Sequence, residues 1–224
     1  MHQGGIEGRS MLVTVSSEQI KLPPGSEVTL RYQTWADYEA ILESRRDDAA
    51  IKIRFDAHTQ EISIMAPMAG HGRRIDILVD LVKALLRYQG RDWDSSHPMT
   101  LKRLQEAGAE PDACFYIQNW QALLGKERID LSTDPPPDLA IEVDLTSITS
   151  LNVYQTLAVP ELWIYRQEAL MIYELTSEGY RDTLISPTFP DVDVKNILPR
   201  YVERAWSAGS SIALREFEQS LTSL

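Results

Sequence analysis

The sequence predicts an α/β (α+β) fold, with a central mixed β-sheet flanked by helices. Three observations carry this. An unbroken apolar stripe at helical spacing runs through Ile77, Leu78, Leu81, Val82, Leu85 and Leu86. Several short segments alternate apolar and polar residues, or are apolar throughout, as strands do. The two kinds of segment are interleaved along the chain, which favours helices layered on a sheet.

In chain order, residues 11–30 read as an extended N-terminal arm ending in a turn at Pro23-Pro24-Gly25. Thr34 is placed to cap a short helix bearing Trp35, Tyr38, Ile41 and Leu42. Ile51–Phe55 and Glu61–Met65 alternate as two strands, joined by a hairpin loop at Asp56–Gln60. Pro67 to Gly72 reads as a breaker-rich loop before the long helix, which Gly90 is placed to end. Residues 91–110 look irregular, with a strand near Met99–Leu104, and Ala113–Ile117 is a strand. Trp120–Leu124 is either a turn of helix or a connecting loop. The prolines at 135–137 exclude a helix and lead into a strand from Asp138 to Leu145. Residues 149–157 read as a helix broken by Pro160. Strands follow at 162–165, 170–173 and 180–185, and then C-terminal helices.

At 224 residues, with 43% hydrophobic and 25% charged, the chain suits one globular domain over 31–224. Residues 1–10 are set apart because Ile6-Glu7-Gly8-Arg9 is the cleavage sequence of a processing protease. They read as a tag or non-native leader before Met11, or as a chance match in a native N-terminus. No run is long and apolar enough to span a bilayer, nothing reads as a secretion signal, and Cys114 is the single cysteine. The expectation is a cytoplasmic protein without membrane contact. Twenty-two basic against 33 acidic residues give a net charge of −11, which opposes non-specific binding to DNA. A basic cleft or a bound divalent cation would reverse that locally.

The segment Pro137–Asp144 carries the candidate chemistry. On a strand, Leu139, Ile141, Val143 and Leu145 share one face, and Asp138, Ala140, Glu142 and Asp144 the other. Either that carboxylate face is solvated, or its mutual repulsion is relieved by a bound cation. Oxygen-only ligands suit a hard ion such as magnesium. A second acid, Asp112, precedes the strand at 113–117; if the two strands are neighbours, Asp112 and Glu142 converge.

Pro111-Asp112, the run PDLAIEVDLTS from Pro137 and YQTLAVPELWIYR from Tyr154 together resemble the Uma-two family of putative restriction endonucleases, within the PD-(D/E)xK nuclease superfamily. The resemblance covers about residues 30–220. It implies a restriction-endonuclease-like core and a DNA endonuclease using Mg2+ or Mn2+. The metal would be held by Asp112, Glu142 and the backbone carbonyl of Val143, and a homodimer is expected. Asp144 joins the candidate catalytic residues because it stands where the superfamily's lysine would be. His71, in Gly70-His71-Gly72, either lines the site or sits in a surface turn. No lysine occurs between Lys126 and Lys195. Gln155 would position water without supplying charge, and Lys52, Arg73 and Arg74 are candidates only if the fold brings them near. The competing reading is a catalytically inactive nuclease-fold protein serving in binding, regulation or self-association, with the Trp163 region buried in a dimer. Cys114 reads as buried packing.

Overall fold

The computed structural model describes residues 21–45, 51–96, 99–126 and 128–222. The expected leader at 1–10 and the arm up to residue 20 lie outside the described residues. The arm's end does more than turn: Glu27–Arg31 forms β1, pairing antiparallel with β3 (Glu61–Met65). β3 also pairs with β2 (Lys52–Asp56), the expected hairpin. Between β1 and β2 lies α1 (Trp35–Ser44). Thr34 and Asp37 close a reciprocal capping box at its start.

α2 spans Ala69–Tyr88, so the expected loop at 67–72 is loop only as far as Met68. The early start corrects one reading: His71 is a helix residue, not a turn residue. At the other end Gly90 adopts φ +64°. Its N–H bonds Arg87 O and the Arg91 N–H bonds Leu86 O, the pair of bonds that defines a Schellman stop.

Residues 91–96 and 99–110 are more ordered than expected. They hold β4 (Asp94–Ser96), β5 (Leu101–Arg103) and β6 (Ala107–Ala109), each too short to show alternation. Gly108 in β6 is required by packing: a Cβ there would lie 2.2 Å from Tyr38 Oη. β7 (Ala113–Tyr116) precedes a 3-10 turn at Trp120–Leu123. β8 (Leu139–Val143) leads through α3 (Leu151–Thr156) to β9 (Glu161–Arg166). β10 (Ala169–Thr176), β11 (Gly179–Thr183), α4 (Val194–Ala208) and α5 (Ser210–Leu221) complete the order.

The strands form two sheets rather than the single one expected: β1-β3-β2-β6-β5, and β11-β10-β9-β8-β7-β4. The larger sheet is mixed. β8 and β9 run parallel through the α3 crossover, and its other neighbours are antiparallel. α2, α4 and α5 cover one face, burying Leu139, Ile141, Val143 and Trp163 in the main core. The other face packs Ala140 and Leu162 in a cluster with Val153 and Tyr154 of α3 and Ala107 and Ala109 of β6. Trp163 is thus buried within its own chain. Among the described residues no helix is long and apolar enough to cross a membrane.

Candidate active site

The site forms where the two sheets meet. β7 and β8 are antiparallel neighbours with Ala113 opposite Ile141, so the next register step sets Asp112 across from Glu142. The alternation read from the sequence holds: Leu139, Ile141 and Val143 face the helices, and Glu142 faces the other way. That second face is not solvated. Glu142 and Asp144 are both buried.

What relieves the buried acids is a lysine from the smaller sheet. Lys52 Nζ on β2 donates to Asp112 Oδ1 at 2.7 Å and to Glu142 Oε2 at 2.7 Å. The remaining oxygens are also engaged. His71 Nε2 lies 2.9 Å from Asp112 Oδ2, which also accepts from the Val143 N–H at 2.8 Å. Tyr154, on α3, donates its hydroxyl to Glu142 Oε1 in a short bond. Four elements, β2, α2, β8 and α3, thus supply partners to one pair of carboxylates.

The charges follow from this packing. Burial alone would lower the Lys52 pKa, but Glu142 and Asp112 outweigh it and raise it, so the ammonium stays charged. Burial pushes Asp112 up, yet Lys52 and His71 bring it below the usual carboxylate range. Glu142 responds in the opposite sense. Its desolvation exceeds the pull of Lys52, and with the nearby Asp112 charge its pKa is raised to about 7. Asp112 is therefore the firmly ionised partner, and Glu142 is the one able to exchange a proton near neutrality. Burial and Glu142 raise the Tyr154 pKa well above its ordinary value and keep the hydroxyl a donor.

The sequence-derived residues separate here. Asp112, Glu142 and His71 come together. Val143 takes part through its backbone N–H, whereas the contribution expected of it was the carbonyl. Asp144 lines the same cavity, but both its oxygens accept from Thr149, at 3.0 Å from N and 2.7 Å from Oγ1. It therefore closes the loop after β8 and does not meet Lys52. Gln155 is exposed and lies against Gly179, away from the carboxylates. Arg73 and Arg74 stack on Trp206, with 4.6 and 4.3 Å to its ring centroid. Cys114 is buried and its thiol is pushed up to about 12 by burial, as befits packing. Tyr154 was missed as a site residue, although its helical position, one turn past Ser150 and turned inward, was visible.

A cavity of about 30 Å³ opens beside the cluster, bounded by Lys52, Arg54, Glu142, Asp144 and Ser147. It has room for a water molecule and none for a nucleotide. Among the described residues, no group of three or more His, Cys, Asp or Glu side chains is arranged to hold a metal. The donors that do converge are two carboxylates around a single cation, an oxygen-only set of the kind a hard divalent ion accepts.

Residues 35–207 match a family model described as "Uma2: Putative restriction endonuclease". The chain belongs to the Uma2 family. The match spans every residue of the Lys52–Asp112–Glu142 cluster, so the site is part of the family domain and not an appendage. No curated protein matches the chain. Its fold is similar to the crystal structure of "a putative nuclease belonging to DUF820" from Anabaena variabilis ATCC 29413. The TM-score is 0.50 and the identity 12%, with 79% of this chain and 98% of that one covered. At that identity the likeness concerns the fold alone. The mixed α/β core expected from the sequence is therefore the observed architecture.

Proposed function

We propose that this Uma2 chain is a metal-dependent DNA endonuclease in which Lys52, from β2, serves as the lysine its acidic strand lacks. The observation that carries the reading is the double contact of Lys52 Nζ with Asp112 and Glu142. A lysine beside two acids is the chemistry the superfamily resemblance calls for, here delivered from a different strand.

Asp112 and Glu142 would hold the metal. A hard divalent cation held there would polarise a phosphodiester and make its water more acidic. The protein's own groups do the rest. The charged Lys52 ammonium is placed to donate to a phosphoryl oxygen as negative charge develops, usually a large contribution to rate. His71 and the Val143 N–H hold Asp112 in place, and Tyr154 holds Glu142. The small cavity beside Lys52 and Glu142 accommodates the attacking water. Lys52 now lies between the carboxylates, so loading a metal requires it to give up at least one of them.

The same contact supports the second reading, a non-catalytic module, since the ammonium already compensates the acids without a metal. Nicking of supercoiled plasmid with magnesium or manganese separates the two. The nuclease reading expects cleavage by the wild-type chain and none by Asp112→Asn, Glu142→Gln or Lys52→Ala. It also expects thermal stabilisation by the metal alone, lost in both carboxylate variants. A wild-type chain that neither cleaves nor is stabilised by millimolar metal overturns it.

A further inference from the structure

Arg54 is the second cation on the face of β2 that carries Lys52. It stands two residues further along the strand, where alternation returns the side chain to the same side. It lines the same cavity as Lys52 and Glu142. Compared with Arg45 and Arg204, it is loosely held. Arg45 meets Glu110 at 2.6 and 2.7 Å, and Arg204 meets Glu216 in a fork at 2.7 and 2.8 Å. Among the described residues Arg54 has only long contacts: Glu27 Oε1 at 3.5 Å, Ser63 Oγ at 3.5 Å and the Ile148 carbonyl at 3.3 Å. A guanidinium offers five donors in a planar fork shaped for a carboxylate or a phosphate. Charge-assisted bonds of that kind settle at roughly 2.7–2.9 Å when the partner fits. Glu27, on the edge strand β1, does not come that close.

Arg54 also ties together the walls of the cavity. It reaches β1 through Glu27, β3 through Ser63, and the loop after β8 through Ile148. With room for only a water beside Glu142, a phosphodiester enters only if these weak ties are exchanged. Glu27 then acts against entry twice, by occupying Arg54 and by repelling the incoming anion.

We propose that Arg54 is the phosphate-positioning residue of this site: its guanidinium takes a non-bridging oxygen of the DNA backbone, exchanging Glu27 and the Ile148 carbonyl for it. The proposal rests on the nuclease reading above and adds to it a residue that holds substrate rather than reacts.

The test measures cleavage of a short DNA duplex in manganese, and binding of the same fluorescein-labelled duplex by anisotropy across a salt series. Arg54→Gln is expected to raise KM and Kd about tenfold, with a smaller fall in kcat, and to reduce the salt slope of binding by about one. Arg54→Lys recovers part of the loss, since it restores charge without the fork. Glu27→Gln moves KM the other way. Thermal melts confirm that each variant is folded. If the wild-type chain cleaves while Arg54→Gln keeps its KM and salt slope, the assignment of Arg54 falls and the nuclease reading stands. If the wild-type chain neither binds nor cleaves the duplex, both fall.

Discussion

β8 and β9 run side by side, and each buries a glutamate, but the two strands answer the problem of a buried carboxylate in opposite ways. Glu161 on β9 is met only by neutral donors. Trp163 Nε1 and Ser186 Oγ reach one oxygen, each at 2.6 Å, and the Thr188 N–H reaches the other at 2.8 Å. Its partners lie within its own strand and one following loop, which it fastens to the sheet. Glu142 on β8 is met by Lys52 and Tyr154 and shares its cation with Asp112. A saturated carboxylate surrounded by fixed dipoles is a rivet. Two carboxylates sharing one long, flexible cation form a site whose occupant can change. Burial is common to both, so burial alone does not mark the functional acid; the exchangeable partner does.

The largest effect expected from this contrast comes from removing the shared cation. Lys52→Met keeps the length of the side chain and leaves Asp112 and Glu142 facing each other without a counter-charge. Breaking a buried ion pair from one side costs about 3–5 kcal/mol, to be read from urea unfolding near pH 8. Cleavage should fall by about a hundredfold or more. Adding Glu142→Gln to Lys52→Met removes the repulsion, so stability should largely return while cleavage does not. If Lys52→Met is as stable as the wild type, the two acids are not held together by this lysine and the contrast with Glu161 collapses.

A smaller effect, with the opposite pattern, is expected at the rivet. Glu161→Gln sets an amide NH2 against the Thr188 N–H or against the Trp163 and Ser186 donors, so one buried donor goes unmet. The cost is about 1–3 kcal/mol. Below the melting transition, kcat and KM should match the wild type, because nothing at Asp112 or Glu142 has moved. A loss of cleavage in folded Glu161→Gln would show that the loop at 186–189 reaches the site, which sharpens the comparison in a different direction.

The difference between the strands also explains what the sequence made legible. Strand alternation put Glu142 opposite Leu139, Ile141 and Val143, and the acid before β7 made Asp112 its candidate partner; both depend on neighbours in one strand pair. The apolar stripe of α2 and its glycine stop were equally local. Lys52 could be named only as a residue whose relevance depended on the fold, because its partners are 60 and 90 residues away and lie in another sheet. The same holds for the division into two sheets. β4, β5 and β6 are three-residue strands fixed by pairing and by the close approach of Tyr38 to Gly108, with little pattern of their own. The start of α2 was hidden by glycines that usually end helices, and it became visible only with His71 anchored on Asp112. The block Val159–Trp163 was diagnostic of the family without revealing that Glu161 is its fastener.

The smallest expected effect concerns where a lysine can work. Ile148 lies four residues past Asp144, which stands where the resemblance places the lysine, yet the residue is 70% exposed, and its carbonyl accepts from Arg54. Ile148→Lys therefore places its ammonium in solvent. Stability should change by no more than about 0.5 kcal/mol, and cleavage should match the wild type. The informative background is Lys52→Met. If the lysine's place is defined by the gap between Asp112 and Glu142, adding Ile148→Lys leaves cleavage as low as in Lys52→Met alone. If cleavage returns, the loop after β8 swings inward when substrate binds. The working lysine would then be set by the reach of that loop, and β2 would be only one of two strands able to supply it.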